Sequence, residues 1–225
     1  MAIKPIFLDI ETISNKEHVK FLDPIKVPKT HKKPESIKEY KEKKAKEQYD
    51  KMALDIDHAQ IVAIGYAIGF EHTPRVRLAR SYEEEEKILR FIWRLLRTTN
   101  NPVVGWNVRS FDLNILKRRA WFYGIPIFKN VGQLQVRIND LNTDDRWSNR
   151  IVDLMERMYH FGYAPGSAKW RSLDKVCEMY DIPNAYPDLN GSMVKDMDNR
   201  TLIEYNKNDI RMTRQLAVAT KGWYW

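Results

Sequence analysis

Hydrophobic and polar positions along the chain follow patterns that predict four strands. Residues 4–10, 60–69, 75–80 and 102–107 are rich in β-branched residues or alternate with a period of two, and turn residues flank several of them. Apolar residues with helical spacing predict helices beginning after Ser81, from about 110 to 124, near 152–160, near 173–180 and from about 199 to 220. Residues 126–150 are polar and show no period, which predicts a loop. Three successive strands followed by alternating helices and a strand indicate the α/β class, with a mixed sheet that carries helices.

A lysine-rich segment separates the first two predicted strands. Residues 26–46 contain nine lysines and three glutamates, so this segment holds +6 of the net charge of +8. Its two prolines favour an extended backbone at the beginning of the segment. Residues 35–54 then predict a lightly packed helix whose lysines are exposed to solvent. Two interpretations stay open, a solvated flap or an arm that contacts phosphates. The candidate contacts are Lys32, Lys33, Lys43 and Lys44.

Composition excludes several classes of protein. The chain has 225 residues, of which 43% are apolar and 12% aromatic, enough for one sizeable core and too apolar for wholesale disorder. A single cysteine, Cys177, excludes a disulfide framework and a cysteine-rich zinc site. No apolar run is long enough to span a membrane, and Asp9 interrupts the short apolar start, so we expect neither a membrane span nor a signal peptide. We therefore expect a cytoplasmic protein whose basic charge serves nucleic-acid binding or solubility.

Two acidic residues interrupt the first predicted strand. Asp9 and Glu11 are two positions apart, so their side chains point to the same face. Two buried carboxylates repel each other, and a divalent cation with oxygen ligands would relieve that repulsion. The alternative is a strand end at which both acids reach water.

Two further acids lie at structurally informative places. Asp112 falls in the first turn of a helix that directly follows a strand, where α/β sheets bind ligands, although an acid there also complements the helix dipole. Asp209 follows Tyr205 by one helical turn within an otherwise apolar stripe. The alternative for this pair is a tyrosine–aspartate contact at the core edge, with Arg211 or Arg214 balancing the charge.

Together the three motifs resemble those of the DEDD (DnaQ-like) superfamily of 3′→5′ exonucleases. The order is Asp-x-Glu at 9–11, Asn-x3-Phe-Asp at 107–112 and Tyr-x3-Asp at 205–209, and the tyrosine is typical of the Tyr subclass. The middle motif and residues 151–155 and 172–194 are similar to the exonuclease domain of family B DNA polymerases, most of all to small stand-alone relatives in bacteria and phages. The resemblance extends from Ile3 to about Leu216, and we expect no polymerase domain to follow it.

The resemblance implies a ribonuclease H-like fold with a five-stranded mixed sheet. Residues 1–225 would form a single exonuclease domain, with a basic insertion at about 14–57 that departs from the family. It also implies two Mg²⁺ or Mn²⁺ ions, with Asp9 shared between them. Glu11 and Asp209 would be the further ligands of the first ion, and Asp112 would support the second. Tyr205 would hold the attacking water.

The implied activity is hydrolysis at the 3′ end of DNA, preferably single-stranded, with release of nucleoside 5′-monophosphates. Replication, repair or recombination proteins of a bacterial or phage-infected cell would be its partners. The positions in or near the motifs and in a Gly/Pro-flanked loop that could contact nucleic acid are Trp106, Asn107, Phe111, Lys169, Trp170 and Arg171.

Three alternatives remain open at this stage. The chain could be a 3′→5′ exoribonuclease, because Tyr-subclass relatives include ribonucleases. It could be a non-catalytic nucleic-acid-binding module of the same fold, although none of the four carboxylates is missing. It could also be an accessory subunit whose aromatic tail at 223–225 docks onto a partner.

Overall fold

A computed structural model describes residues 4–98, 101–131, 134–137, 141, 150–159 and 171–221. Its strands are β1 (Ile6–Ser14), β2 (Ala59–Ile68), β3 (Arg75–Leu78), β4 (Val103–Gly105), β5 (Phe128–Val131), β6 (Leu134–Arg137) and β7 (Ile151–Asp153). Five of them form one sheet in the order β3-β2-β1-β4-β7. β2 is antiparallel to β1 and β3, whereas β4 is parallel to β1 and β7. The predicted mixed five-stranded sheet is confirmed.

Six α-helices accompany the strands in the described part of the chain. They are α1 (Pro34–Met52), α2 (Tyr82–Thr98), α3 (Asp112–Phe122), α4 (Leu154–Met158), α5 (Leu173–Met179) and α6 (Asn199–Thr220). Two 3-10 helices span Lys16–Phe21 and Gly191–Asp196. α2 begins as predicted, because the Ser81 hydroxyl accepts a hydrogen bond from the Glu84 N–H at 3.2 Å. No helix among the described residues is long and apolar enough to cross a bilayer.

One prediction of secondary structure was wrong, and one short strand was missed. The predicted loop at 126–150 contains an antiparallel hairpin, β5 and β6, whose strands of four residues each are too short for a reliable period, although Leu134–Arg137 does alternate between apolar and polar residues. The helix predicted near 152–160 is present as α4, but its first two residues end strand β7, which pairs with β4 before α4 starts at Leu154. Three residues are too few to display a period, so only the tertiary pairing reveals this strand.

β1 lies in the middle of the sheet and is covered on both faces. Ile6, Leu8 and Ile10 pack in a core with residues of α2 and α3. Phe7 packs on the opposite face with residues of α6, and the period of two places Asp9 and Glu11 on that face as well. The strand therefore presents its two acids to α6 rather than to open solvent.

A buried ion pair joins the helices on the other face of the sheet. Glu85 is fully buried and receives two hydrogen bonds from the Arg119 guanidinium at 2.7 and 2.6 Å. It also accepts from the backbone N–H of Ile61 in β2 at 2.9 Å and from the Tyr123 hydroxyl at 2.8 Å. This carboxylate therefore connects α2, α3 and β2.

The root of the basic segment lies against the end of β1. The Thr12 hydroxyl donates to the Ala53 carbonyl at 2.6 Å, and the Ser14 hydroxyl donates to the Tyr49 carbonyl at 2.5 Å. Asp50 of α1 pairs with Lys195 of the second 3-10 helix at 3.3 Å. Because Thr12 directly follows Glu11, the C-terminal end of α1 lies beside the acidic residues.

Glu85→Gln should lower the free energy of unfolding by about 3–5 kcal/mol, because it leaves the Arg119 charge buried without its counter-charge. Urea denaturation monitored by circular dichroism measures this change. Glu86→Gln is the matched control, because Glu86 forms an exposed i,i+4 pair with Arg90 and its loss should cost less than about 1 kcal/mol. Equal effects of the two substitutions would contradict the structural role of Glu85.

Candidate active site

Two elements bring three carboxylates together. β1 supplies Asp9 and Glu11, and α6 supplies Asp209 from across the covered face of the sheet. One carboxylate oxygen of each lies within 4.8 Å of the others. Glu11 is only 7% exposed, and Asp9 and Asp209 are partly buried. The structure thus brings these three predicted acids together at one place.

The fourth predicted acid, Asp112, is attached to the same strand by a hydrogen bond. Asp112 is the first residue of α3 and is 3% exposed. Its Oδ1 accepts the backbone N–H of Ile10 at 2.9 Å, between the two acids of β1. A favourable contact with the helix dipole is thus not its only role, because the carboxylate also fixes the start of α3 to β1.

The loop before α3 is held by Asp153, which lies in the stretch 151–155 that resembles the family but was not among the candidate site residues. Asp153 accepts the backbone N–H of Asn107 at 3.1 Å and that of Arg109 at 2.9 Å. Asn107 takes a left-handed conformation (φ 58°), which an asparagine tolerates. The Arg109 side chain pairs with buried Glu156 at 2.7 Å. Asp153 could have been suspected from the sequence because it follows a short apolar run and precedes a helix.

α6 presents Tyr205 and Asp209 one turn apart on the face that covers the sheet. The residues that share this stripe, Leu202 and Met212, are buried. The predicted alternative of arginine charge balance is not what the structure shows. Arg211 lies near Glu204, at 3.9 Å, and Arg214 donates to a backbone carbonyl of the turn before β3 at 2.8 Å.

Burial and mutual repulsion disfavour the charged forms of these acids. Burial, followed by the charge of Glu11 and those of Asp112 and Asp209, raises the pKa of Asp9 well above its ordinary value. Burial and then the charge of Asp209 raise the pKa of Glu11. Burial raises the pKa of Asp112 to about 7. The pKa of Asp209 also rises to about 7, through burial and the charge of Asp174, although a hydrogen bond with Tyr205 opposes this.

A buried amide lies between the two acids of β1. Asn206, which is 0% exposed, donates from Nδ2 to Asp9 Oδ2 at 2.6 Å and to Glu11 Oε1 at 3.4 Å. The motif analysis missed this residue because it followed only the positions of Tyr205 and Asp209 on α6. The signal available in the sequence was an amide four residues from each of two apolar residues, Leu202 and Ile210.

These residues fit a divalent cation. Three carboxylate oxygens converge in a mostly buried space, and hard cations such as Mg²⁺ and Mn²⁺ prefer oxygen ligands. A cation would offset the burial and the repulsion that raise the pKa values of the acids, because it stabilises their charged forms. The acidic cluster thus supports the use of a divalent metal.

The candidate contacts to nucleic acid near the site are partly buried. Asn107 and Phe111 flank the loop that leads to Asp112, and Phe111 packs against the core shared by α2 and α3. Trp106 packs between the α6 side of the sheet and α5. Arg171 is exposed, whereas Lys169, Trp170 and the tail at 223–225 lie outside the described residues.

The lysines of the basic segment differ in their surroundings. Lys32, Lys33 and Lys43 are exposed. Lys44 is half-buried and pairs with Glu47 at 2.5 Å within α1. The first three therefore offer their charges to solvent or to a ligand, whereas an internal partner occupies Lys44.

One family model matches this chain. It is described as a predicted 3'-5' exonuclease related to the exonuclease domain of PolB, and it covers residues 52–216. Asp112, Tyr205 and Asp209 lie inside the matched range, whereas β1 with Asp9 and Glu11 precedes it. A comparison with curated proteins gives no significant match. The fold thus joins acids from outside the matched range to those within it.

Without metal, the acids should make the protein less stable as pH rises. A carboxyl group whose pKa is raised on folding stabilises the folded state below its unfolded pKa, here 3.8, and this contribution is lost as pH rises through about 7. In EDTA, Asp209→Asn should therefore match the wild type near pH 4 and exceed it in stability near pH 8, by an amount on the order of a few kcal/mol. Thermal unfolding across this pH range measures the difference. A constant difference between the two proteins at all pH values would contradict the raised pKa of Asp209.

Proposed function

The chain belongs to the family of predicted 3'-5' exonucleases related to the exonuclease domain of PolB, and from that premise we propose that it hydrolyses phosphodiester bonds at the 3′ end of DNA. We propose single-stranded ends as the preferred substrate, nucleoside 5′-monophosphates as the products and two Mg²⁺ or Mn²⁺ ions as the cofactors. The observation that carries this proposal is the convergence of Asp9, Glu11 and Asp209 within 4.8 Å. Asp112 is hydrogen-bonded to β1, the strand that carries Asp9 and Glu11.

The four carboxylates would hold the cations. By family resemblance, Asp9 would contribute to holding both ions. Glu11 and Asp209 would be the further ligands of one ion, and Asp112 would support the other. When bound, such ions lower the pKa of a coordinated water and stabilise the charge on the leaving 3′ oxygen.

Tyr205 is the proposed group that orients the attacking water. Burial and the surrounding carboxylates raise the pKa of the Tyr205 hydroxyl well above its ordinary value. The phenol therefore keeps its proton at working pH, so it can donate a hydrogen bond but cannot act as the general base. Its hydrogen bond with Asp209 supports a fixed position for the hydroxyl.

Two observations support a DNA-degrading enzyme over the alternatives. The family description relates the chain to a DNA polymerase domain, which favours DNA over RNA as the substrate. All four carboxylates of the proposed site are present and grouped, which favours catalysis over passive binding. We further propose that residues 1–225 act as a single exonuclease domain, with the basic segment as an arm at its entrance.

Incubation with end-labelled oligonucleotides tests this function. With Mg²⁺ or Mn²⁺, 5′-labelled single-stranded DNA should give a ladder of products shortened from the 3′ end, and EDTA should abolish it. The matching RNA oligonucleotide should be degraded much more slowly. A metal-dependent ladder on RNA alone would favour the exoribonuclease, and binding of DNA without any cleavage would favour the non-catalytic module.

Substitutions in α6 should separate orientation from metal binding. Tyr205→Phe keeps the ring but removes the hydroxyl, so single-turnover cleavage should slow by about 10²–10⁴-fold while the Mg²⁺ dependence stays unchanged. Asp209→Asn should reduce the rate further and should raise the Mg²⁺ concentration needed for half-maximal activity. Wild-type rates for Tyr205→Phe would show that Tyr205 only packs against the site.

Charge neutralisation tests whether the basic segment binds DNA. Replacing Lys32, Lys33 and Lys43 by Gln should flatten the slope of log K against log[salt] by roughly two, because each phosphate contact on a single strand contributes about −0.7. Cleavage of a saturating short oligonucleotide should change little. The matched control replaces three cations of α2, Lys87, Arg90 and Arg94, on the helix that covers the opposite face of the sheet. An unchanged slope for the lysine variant would mean that the segment is a solvated flap.

A further inference from the structure

We propose that Asn206 is a positioning residue that sets the spacing of Asp9 and Glu11 for cation binding, and that Gly65 provides the space it needs. This inference deepens the proposed function and rests on its divalent-cation site. Asn206 would touch the ligands of the metal rather than the metal itself, and Gly65 leaves the room that Asn206 occupies.

The contacts of Asn206 single it out on α6. Its Nδ2 lies 2.6 Å from Asp9 Oδ2 and 3.4 Å from Glu11 Oε1, so one amide group reaches both acids. A side-chain amide has two N–H groups, which can point to two acceptors at once. Each carboxylate keeps its second oxygen, and these oxygens remain available to a cation.

The amide holds this position although part of it is unsatisfied. Asn206 is completely buried, and its Oδ1 makes no hydrogen bond in the described structure. A buried acceptor without a partner costs about 1–3 kcal/mol. A leucine would cover the sheet at this place without that cost, so packing alone does not explain the asparagine. The two bonds to the carboxylates do.

Gly65 supplies the complementary feature in β2. It is the residue opposite Asp9 in the antiparallel pair of strands. A Cβ atom at Gly65 would lie 1.9 Å from Asn206 Oδ1 and 2.9 Å from Asn206 Cγ, distances at which the side chain must move. The next contact, Ile210 Cγ1 at 3.2 Å, is tight but tolerable with a small shift. The absence of a side chain at Gly65 therefore serves the Asn206 amide first of all.

This pairing predicts a specific pattern in a double-mutant cycle. Asn206→Ala should weaken Mn²⁺ binding by about 10–100-fold, as is usual when a partner of metal ligands is removed. Gly65→Ala should have a similar effect, because it displaces the amide without removing any polar group. The double variant should bind Mn²⁺ no more weakly than Asn206→Ala alone, since the atom that clashes is gone.

Calorimetric titration of Mn²⁺ into the protein without nucleic acid measures these affinities independently of cleavage. Asn206→Leu keeps a similar volume without a donor, and it serves if the alanine variant does not fold. Asn208→Ala is the matched control, because Asn208 is a buried asparagine of the same helix that bonds to Asn184 and to the N–H of Ala185. It should lower thermal stability but leave the Mn²⁺ affinity unchanged.

Two kinds of failure can be distinguished. If the wild-type protein binds no Mn²⁺, the cation site itself is wrong, and with it the proposed function. If the wild type binds Mn²⁺ and the Asn206 variants bind it equally well, or if the effects of Gly65→Ala and Asn206→Ala simply add, only the positioning role is overturned.

Discussion

The burial of several carboxylates close to one another is the constraint on which the rest of this structure depends. β1 needs a continuous apolar environment on both faces to occupy the middle of the sheet, yet it carries Asp9 and Glu11 into that environment. Burial and like charge both raise the pKa values of these acids. Charged carboxylates at these positions therefore lower the free energy of unfolding of the metal-free protein. A bound divalent cation would raise it, because the cation stabilises the charged forms. The acidic cluster thus supports the use of a divalent metal.

The rest of the molecule holds these charges at fixed positions. The hydrogen bond from the Ile10 N–H ties Asp112 to β1, and Asp153 fixes the loop that precedes it. Asn206 bridges the acids from α6. On the opposite face, the buried pair of Glu85 and Arg119 joins two helices to β2. Each of these contacts joins separate elements, so the geometry of the acids is a property of the whole sheet.

The sequence contains much of this site but not all of its supports. The period of two places Asp9 and Glu11 on one face of a strand, and helical spacing places Asp209 in a stripe that must be buried, so local patterns suffice for these residues. α6 was predicted with its observed limits because its apolar period is long. The roles of Asp153 and Asn206 depend on contacts across 46 and 197 positions of the chain, which no local pattern encodes. For the same reason the three-residue strand β7 was missed, although the helix that follows it was predicted.

The central claim is that Asp9, Glu11 and Asp209 form a divalent-cation site. Crystals of the protein soaked in Mn²⁺ test it most directly, because the anomalous signal of manganese locates the ion without reference to activity. The account predicts an anomalous peak about 2.0–2.3 Å from an oxygen of each of these three carboxylates, with a second peak towards Asp112. Well-ordered, charged carboxylates with no anomalous peak among them at millimolar Mn²⁺ would contradict it.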